Sequence, residues 1–192
     1  VSIAGPSEGD GVGPRSSTTL SAPAARALAP PLLLVAGDSA RRLFAVDDET
    51  DALVRVVAGD YPGPIATPGL ARFQPGFGAV AGVAFDAATR TIYVSERDHN
   101  RVDAIGVVDD DDDATWTLAR VAGSSSGVAG ARDGDAGAAL LRAPSGLAFD
   151  DARRVLYVAD TGNHSVRRID VDSATVPTVA GAGALGFFGD GG

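Results

Sequence analysis

The chain has 192 residues, a formal net charge of −9 and no cysteine, and this length is typical of one domain or part of one. All 16 basic residues are arginine, which excludes a Schiff-base or phosphate-loop lysine, and the lack of cysteine excludes a thiol nucleophile, a disulfide and a thiolate metal site. The acidic balance disfavours nucleic acid and anionic lipid as partners, and the longest apolar run, 28–36, is too short to span a membrane.

Two short markers recur along the chain. An apolar segment that ends in Ala-Gly occupies residues 1–5, 56–59, 120–123 and 178–181, and its final glycines are spaced 54, 64 and 58 residues apart. An aspartate next to glycine follows three of the four, at 9–11, 133–135 and 189–191. A fixed order of markers at a long period indicates a repeat protein.

A longer copy lies between the markers. Residues 82–105 match residues 146–169 with ten of 24 positions identical, and a weaker copy occupies 33–46. In the third copy, apolar runs at 146–149, 155–159, 166–171 and 176–180 are separated by short turns, which predicts four antiparallel strands. Such a sheet is too small to bury its own faces, so the pattern predicts an all-β fold in which about three four-stranded sheets stack as part of a β-propeller.

The first copy is shorter than the others. Only eight positions separate Asp51 from Gly59, whereas 18 separate Asn163 from Gly181. We therefore expect the first sheet to lack one strand, or to have its last two strands fused.

The repeat divides the chain into five parts: an orphan outer strand of a preceding blade at 1–5, a degenerate blade at 6–59, a second blade at 60–123, a third at 124–181, and the start of a linker to a missing blade at 182–192. The chain starts without methionine, and both ends fall inside the linker pattern. We expect it to be a fragment of a longer propeller, whose ring is closed by missing blades of the same chain or by a second copy.

The third copy resembles the NHL-repeat family of β-propellers in its segments 144–150, 156–164 and 166–169, with Asn163-His164 as the pair found in the family's name. The tail 178–192 is similar to the Gly-Phe-x-Gly-Asp-Gly-Gly inter-blade loop of a bacterial subgroup. The second copy has His99 and Asn100 in the reverse order, and residues 48–51 replace this turn in the first copy. The family's rings usually close with about six blades.

The resemblance implies a non-enzymatic binding or scaffold module for a protein or peptide ligand, without a cofactor, and favours an extracytoplasmic or secreted location. Propellers of this kind bind through the turns between their second and third strands. The candidate binding residues in those turns are Asp48, Glu49, Asp51, Arg97, Asp98, His99, Asn100, Arg101, Thr161, Asn163 and His164.

The histidines and the acidic run are the remaining candidates for a metal or catalytic site. His99 and His164 lie in equivalent turns, where a histidine that hydrogen-bonds locally and tethers adjacent blades is favoured over a metal ligand, so no metal site is expected. The acidic run 109–113 lacks the alternation and glycine of a calcium loop and indicates a solvated hairpin tip. The alternative function is a fragment of a lactonase- or lyase-like enzyme with a channel cation, which requires carboxylates and a histidine that converge on the channel axis.

The repeats also predict which side chains correspond. We expect Phe85 and Phe149 on the first strands, and Tyr93, Tyr157 and Phe44 on the second strands. Because a partial ring leaves its two end sheets without a neighbour, we expect apolar residues to be exposed there. They are Leu34, Leu43 and Phe44 at one end and Leu147, Leu156 and Tyr157 at the other.

Overall fold

The computed structural model describes residues 12–13, 23–29, 32–37, 42–47, 54–59, 78–106 and 117–181. For the strands before residue 60, the backbone is described and, of the side chains, that of Leu43. The segments 1–5, 109–113 and 182–192, for which predictions were made above, lie outside the described residues.

The described strands form three antiparallel sheets. Sheet 1 consists of β1 (Val12–Gly13), β2 (Pro23–Ala29), β3 (Leu32–Gly37), β4 (Arg42–Asp47) and β5 (Val54–Gly59). Sheet 2 consists of β6 (Val80–Asp86), β7 (Thr91–Glu96), β8 (Arg101–Gly106) and β9 (Thr117–Gly123). Sheet 3 consists of β10 (Gly134–Asp135), β11 (Pro144–Asp150), β12 (Val155–Asp160), β13 (Ser165–Asp170), β14 (Thr175–Val176) and β15 (Thr178–Ala180), with a 3-10 turn at Thr161–Asn163.

In each sheet the strands β2 to β5, β6 to β9 and β11 to β14 form a meander in which consecutive strands pair, and β1 and β10 add to the last strand of their sheets. The order is β1-β5-β4-β3-β2 in sheet 1, β6-β7-β8-β9 in sheet 2 and β10-β14-β13-β12-β11 in sheet 3, where β15 also pairs with β13. Pro177 separates β14 from β15 because it has no N–H to donate to the ladder, and its carbonyl instead accepts from the N–H of Arg168 at 3.0 Å. The two-residue strands β1 and β10 cover the outer edges of sheets 1 and 3 and so shield them from unwanted pairing.

The sheets stack through their first strands: β2 lies against β6, and β6 lies against β11. Between sheets 2 and 3 the buried side chains form one core, in which the rings of Tyr93 and Phe149 stack with centroids 5.3 Å apart. Sheet 2 and the linker after it contribute Ala84, Tyr93, Val102, Ala122, Ala139 and Leu141, and sheet 3 contributes Leu156, Val158, Ile169 and Val176. The all-β, partial propeller predicted from the repeats is confirmed.

Sheet 1 corrects the prediction that it lacks a strand. It has four full strands plus β1, because Pro23–Ala29 supplies a first strand that the repeat comparison did not include. The repeat pattern assigned residues 33–46 one strand too early, because β2 and β3 are separated only by Pro30 and Pro31, inside the apolar run 28–36, so no polar turn marks the end of β2.

The strand register also corrects the predicted equivalence of Phe44 with the two tyrosines. Leu34 lies opposite Ala27 on the first strand, as Tyr157 lies opposite Ala148. Leu34 is thus the equivalent of the tyrosines, and the prediction for Phe44 is wrong because Phe44 lies on the third strand of its sheet. The placements of Phe85, Phe149, Tyr93 and Tyr157 are confirmed.

The predicted exposure at the two ends is wrong for three leucines. Leu43 and Leu156 are fully buried, and Leu147 packs against the core between sheets 2 and 3. Successive side chains of a strand point to opposite faces of its sheet, so Leu156 and Tyr157 cannot both lie on the face without a neighbouring sheet. Within the described ranges, no helix has the length and apolar character needed to cross a membrane.

Candidate interaction face

One edge of sheets 2 and 3 is formed by turns and by the linker between the sheets. We call this surface the loop face and define it as residues 97–100, 124–130, 142–143 and 161–164. The turns 97–100 and 161–164 occupy equivalent positions, and each ends on a left-handed residue, Asn100 with φ 53° and His164 with φ 51°. Asparagine tolerates this conformation better than most residues do.

Two asparagines fix the linker against the turns. The side-chain amide of Asn100 donates to the carbonyl of Gly127 at 2.8 Å and accepts from the N–H of Ala143 at 2.8 Å. Asn163 donates to the carbonyl of Gly130 at 2.7 Å. Because buried backbone groups need such partners, these bonds hold the linker in one conformation along the loop face.

A buried carboxylate supports each turn from below. In sheet 3, Asp160 accepts from the N–H of Arg142 at 2.7 Å, from the side chain of Asn163 at 2.7 Å and from Arg167 at 3.0 Å. Arg167 is almost fully buried and also binds the carbonyl of Leu140 and the carboxylate of Asp133, at 3.0 and 2.7 Å. The pair therefore ties the linker to the interior of sheet 3.

In sheet 2, Glu96 occupies the equivalent position. It accepts from the N–H of Gly78 at 2.7 Å, from Nδ1 of His99 at 2.6 Å and from Nη2 of Arg101 at 2.9 Å. Asp103 lies where sheet 3 has Arg167, and it accepts from Nε of Arg101 at 2.9 Å. One arginine thus serves two buried carboxylates.

The two acids differ in proton affinity. Burial and the neighbouring Glu96 raise the pKa of Asp103 to about 8, against the opposing effect of Arg101. Burial also acts to raise the pKa of Glu96, but hydrogen bonds with Asp103, with the N–H of Gly78 and with Arg101 outweigh it and hold this pKa below its usual range. Asp103 therefore carries the shared proton at neutral pH.

The structure places the predicted binding residues in three groups. Asp48, Glu49 and Asp51 lie outside the described residues. His99, Asn100, Arg101 and Asn163 make the internal bonds given above, so their first role is to shape the loop face. Arg97, Asp98, Thr161 and His164 are exposed on it, and Thr161 forms a hydroxyl–hydroxyl hydrogen bond with Ser145 at 2.5 Å.

Two further exposed side chains belong to the same face. Val128, 55% exposed, lies in the linker between the two carbonyls that Asn100 and Asn163 hold. Arg142 is exposed beside Gly162, whose N–H donates to the Arg142 carbonyl at 2.9 Å. Sequence reasoning missed both because neither falls in a turn between strands.

Sequence reasoning also missed the buried charges Glu96, Asp103, Asp160 and Arg167. One signal was available: positions 96 and 160 both carry an acid at the end of the second strand, and both are followed three residues later by a hydrogen-bonding side chain. Among the described residues, no group of three or more histidine, aspartate or glutamate side chains has a geometry that could hold a metal ion.

Comparison with known proteins agrees with the repeat pattern. The sequence profile of the NHL repeat matches residues 141–169, which run from the linker through β13. The chain thus carries an NHL repeat at residues 141–169. It is 30% identical over 111 residues to human NHL repeat-containing protein 2, and 45% identical over 62 residues to the Arabidopsis thaliana protein SUPPRESSOR OF QUENCHING 1, chloroplastic.

These matches are partial on both sides. They cover 57% and 32% of this NHL-repeat chain, and the chain covers only 14% of the human protein and 6% of the plant protein. Among solved structures, a Bacteroides thetaiotaomicron protein of unknown function superposes with a TM-score of 0.60 at 19% identity, over 82% of this chain and 35% of that one. At that identity the likeness shows the fold alone.

Proposed function

We propose that this NHL-repeat chain is a non-enzymatic binding module, and that its loop face takes short acidic segments of other proteins. The observation that carries the proposal is Val128, an apolar side chain kept in solvent on a linker that Asn100 and Asn163 hold in place. A fixed apolar side chain is a suitable contact for a peptide because little conformational entropy is lost when it is covered.

The charge of the loop face supports an acidic ligand. Arg97 and Arg142 are exposed there together with one acid, Asp98, although the chain as a whole carries a formal charge of −9. A local excess of arginine on an acidic protein favours carboxylate-bearing segments and repels cationic ones. Arginine also binds carboxylates with two parallel hydrogen bonds, which adds specificity.

Selection of peptides tests the proposal directly. A library of displayed random peptides is selected on the chain 1–192, and the selected peptides are then measured on Val128→Asp. We expect acidic peptides to be enriched and their affinity to fall by about tenfold or more on this variant, the size typical of losing one central contact. Val179→Asp is the matched control, because Val179 is 46% exposed on β15 and lies off the loop face.

Two results contradict the proposal. Selected peptides that bind Val128→Asp as tightly as the unchanged chain would place the binding site elsewhere. Selected peptides without an excess of acidic residues, or a peptide affinity that does not fall as the salt concentration rises, would contradict the role of Arg97 and Arg142 in binding carboxylates.

The alternative function, an enzyme with a channel cation, requires carboxylates and a histidine that converge on an open site. Glu96 contacts His99 and shares Arg101 with Asp103, but both carboxylates are buried and their oxygens bind Gly78, Arg101 and His99. This cluster supports a turn and offers no open position to a substrate. A putative 6-phosphogluconolactonase from Bacteroides uniformis shares the fold at 14% identity and a TM-score of 0.51, which carries no statement about activity here.

A further inference from the structure

The loop face carries a pair of hydroxyl groups next to an exposed arginine. Oγ of Ser145 and Oγ1 of Thr161 lie 2.5 Å apart, near the start of β11 and just after the end of β12. Arg142 stands three residues before Ser145, and its side chain is exposed. We call Arg142, Ser145 and Thr161 the hydroxyl–arginine cluster.

Three hydrogen bonds fix the backbone under this cluster. The N–H of Arg142 donates to the buried carboxylate of Asp160 at 2.7 Å, and the Arg142 carbonyl accepts from the N–H of Gly162 at 2.9 Å. The carbonyl of Ser145 accepts from the hydroxyl of Ser95 in sheet 2 at 2.6 Å. Side chains on a backbone held in this way lose little conformational entropy when they bind a ligand.

Gly162 lets the arginine lie next to the hydroxyl pair. A Cβ on Gly162 would be 2.6 Å from Cγ of Arg142, so the arginine stem passes over the residue that directly follows Thr161. A larger residue at position 162 would close this path. Among the described residues, no carboxylate forms an ion pair with the Arg142 guanidinium, which therefore stays available to an anionic ligand.

One hydroxyl hydrogen of the pair lacks a good acceptor. The bond between the two hydroxyls uses the hydrogen of one of them. For the other, the described part of the chain offers the carbonyl of Ala159, which lies 3.4 Å from Oγ of Ser145 and 3.4 Å from Oγ1 of Thr161. Because good O–H···O hydrogen bonds are about 2.5 to 3.0 Å long, this hydrogen remains available to an oxygen of a ligand.

The repeat by itself does not require the three residues of the cluster. In sheet 2 the equivalent positions carry Gly78, Ala81 and Arg97. The N–H of Gly78 still donates to the buried acid of its sheet, Glu96, at 2.7 Å. Sheet 2 thus keeps the supporting hydrogen bond without the hydroxyl pair, so the pair is an addition to the common framework of the two sheets.

We propose that the hydroxyl–arginine cluster binds the phosphate of a phosphorylated serine or threonine, in a segment that lies on the loop face; this inference rests on the peptide-binding function proposed above. The guanidinium of Arg142 donates two parallel hydrogen bonds, which two oxygens of an anion accept. These bonds use both oxygens of a carboxylate, whereas a phosphate monoester has a third terminal oxygen. That oxygen accepts the free hydroxyl hydrogen of the Ser145–Thr161 pair.

Three labelled peptide libraries test the proposal. Their central residue is fixed as phosphoserine, glutamate or serine, their flanking positions are randomised, and their binding to the chain 1–192 is measured by fluorescence anisotropy. We expect the phosphoserine library to bind about tenfold or more tightly than the glutamate library, the size typical of one further hydrogen bond to a charged group. The serine library should bind more weakly than both.

Paired substitutions identify the site. The double variant Ser145→Ala/Thr161→Val should reduce the ratio of phosphoserine to glutamate affinity to about one, because both hydroxyl hydrogens are gone. Alanine at 145 is the residue that sheet 2 has at the equivalent position, Ala81. The matched control is Ser173→Ala/Thr175→Val, which removes a second hydroxyl pair, 3.0 Å apart, from the turn between β13 and β14 and should leave the ratio unchanged.

Arg142→Lys provides an independent variant at an exposed position. Lysine keeps the positive charge but cannot donate two parallel hydrogen bonds, so the phosphoserine and glutamate libraries should both bind more weakly. Equal affinity of the unchanged chain and Arg142→Lys for the phosphoserine library would overturn the proposal.

The library results also separate this proposal from the proposed function. Equal binding of the phosphoserine and glutamate libraries, or a phosphoserine preference that survives the double substitution, overturns the phosphate site and leaves the binding of acidic segments intact. Binding of neither library overturns both. A phosphoserine preference that is lost in the double variant but unaffected by Val128→Asp supports the phosphate site and contradicts the role of Val128.

Discussion

Sheets 2 and 3 share one strand register but neutralise buried charge differently. Sheet 3 neutralises Asp160 with Arg167, which enters from the third strand and is itself buried. Sheet 2 has Asp103 in place of that arginine, and Arg101 serves both Asp103 and Glu96. Two buried carboxylates beside one cation favour a bound proton, since desolvation penalises a second negative charge.

The proton on Asp103 gives sheet 2 a pH dependence. The folded pKa of Asp103, about 8, lies above its ordinary value of 3.8, so this group contributes stability that is complete at low pH and is lost as pH rises through 8. We expect the free energy of unfolding to fall between about pH 4 and about pH 8 by at most about 1.4 kcal/mol per pH unit, with no further loss from this group at higher pH. Asp103→Asn keeps the neutral shape of the group and should flatten this slope, as measured by urea denaturation at several pH values.

The exposed Asp151 provides the control for that measurement. Asp151→Asn removes one carboxylate of the same chain and should leave the slope unchanged. A slope that persists in Asp103→Asn would assign the bound proton to another group.

At the scale of strands and turns, the Ala-Gly marker has a steric cause. Gly123 and Gly181 end the outer strands of sheets 2 and 3 with φ of 94° and 87°. A Cβ on Gly123 would lie 2.4 Å from the carbonyl oxygen of Asn100, and a Cβ on Gly181 would lie 2.2 Å from that of His164. The marker therefore recurs because the outer strand crosses the turn between the second and third strands at backbone contact.

Alanine at these glycines tests this account. Gly123→Ala and Gly181→Ala should each lower the free energy of unfolding by about 2 to 4 kcal/mol, from backbone strain together with the collision. Gly137→Ala is the control, because a Cβ there meets nothing within 4 Å. Chemical denaturation measures all three, and a loss at Gly137 equal to that at Gly123 would contradict the steric explanation.

At the scale of the whole molecule, the same tyrosine occupies two environments. Tyr93 is 4% exposed between sheets 2 and 3, whereas Tyr157 is half-buried on the face of sheet 3 that points away from sheet 2. Tyr93→Ala should cost about 3 to 5 kcal/mol, the range for truncating a buried aromatic residue. Tyr157→Ala should cost about half of that or less in the chain 1–192, since it removes less buried area.

Equilibrium unfolding in urea compares the two variants under one condition. Equal losses would show that Tyr157 is covered in solution. That result would contradict the partial exposure of Tyr157 in the structure.

The sequence by itself determined the fold class, the main strands of sheets 2 and 3 and the equivalence of Tyr93 with Tyr157. These follow from local alternation, turn residues and the repeat, each of which is written in neighbouring positions. The strand count of sheet 1 was not determined in this way. Its first hairpin lies within a continuous apolar run, 28–36, with Pro30 and Pro31 between the strands, and only the strand pairing shows that this run contains parts of two strands.

The tertiary structure alone decided which residues shape the loop face and which are presented on it. Asn100 and Asn163 lie in turns, where the sequence suggested ligand contacts, yet their amides bind backbone groups of a linker up to 43 residues away in the chain. Val128 acquires its role from that same linker path. Burial, too, depends on neighbours in space: Val102 and Val166 occupy equivalent positions in the repeat, and Val102 is buried because sheet 3 packs against it.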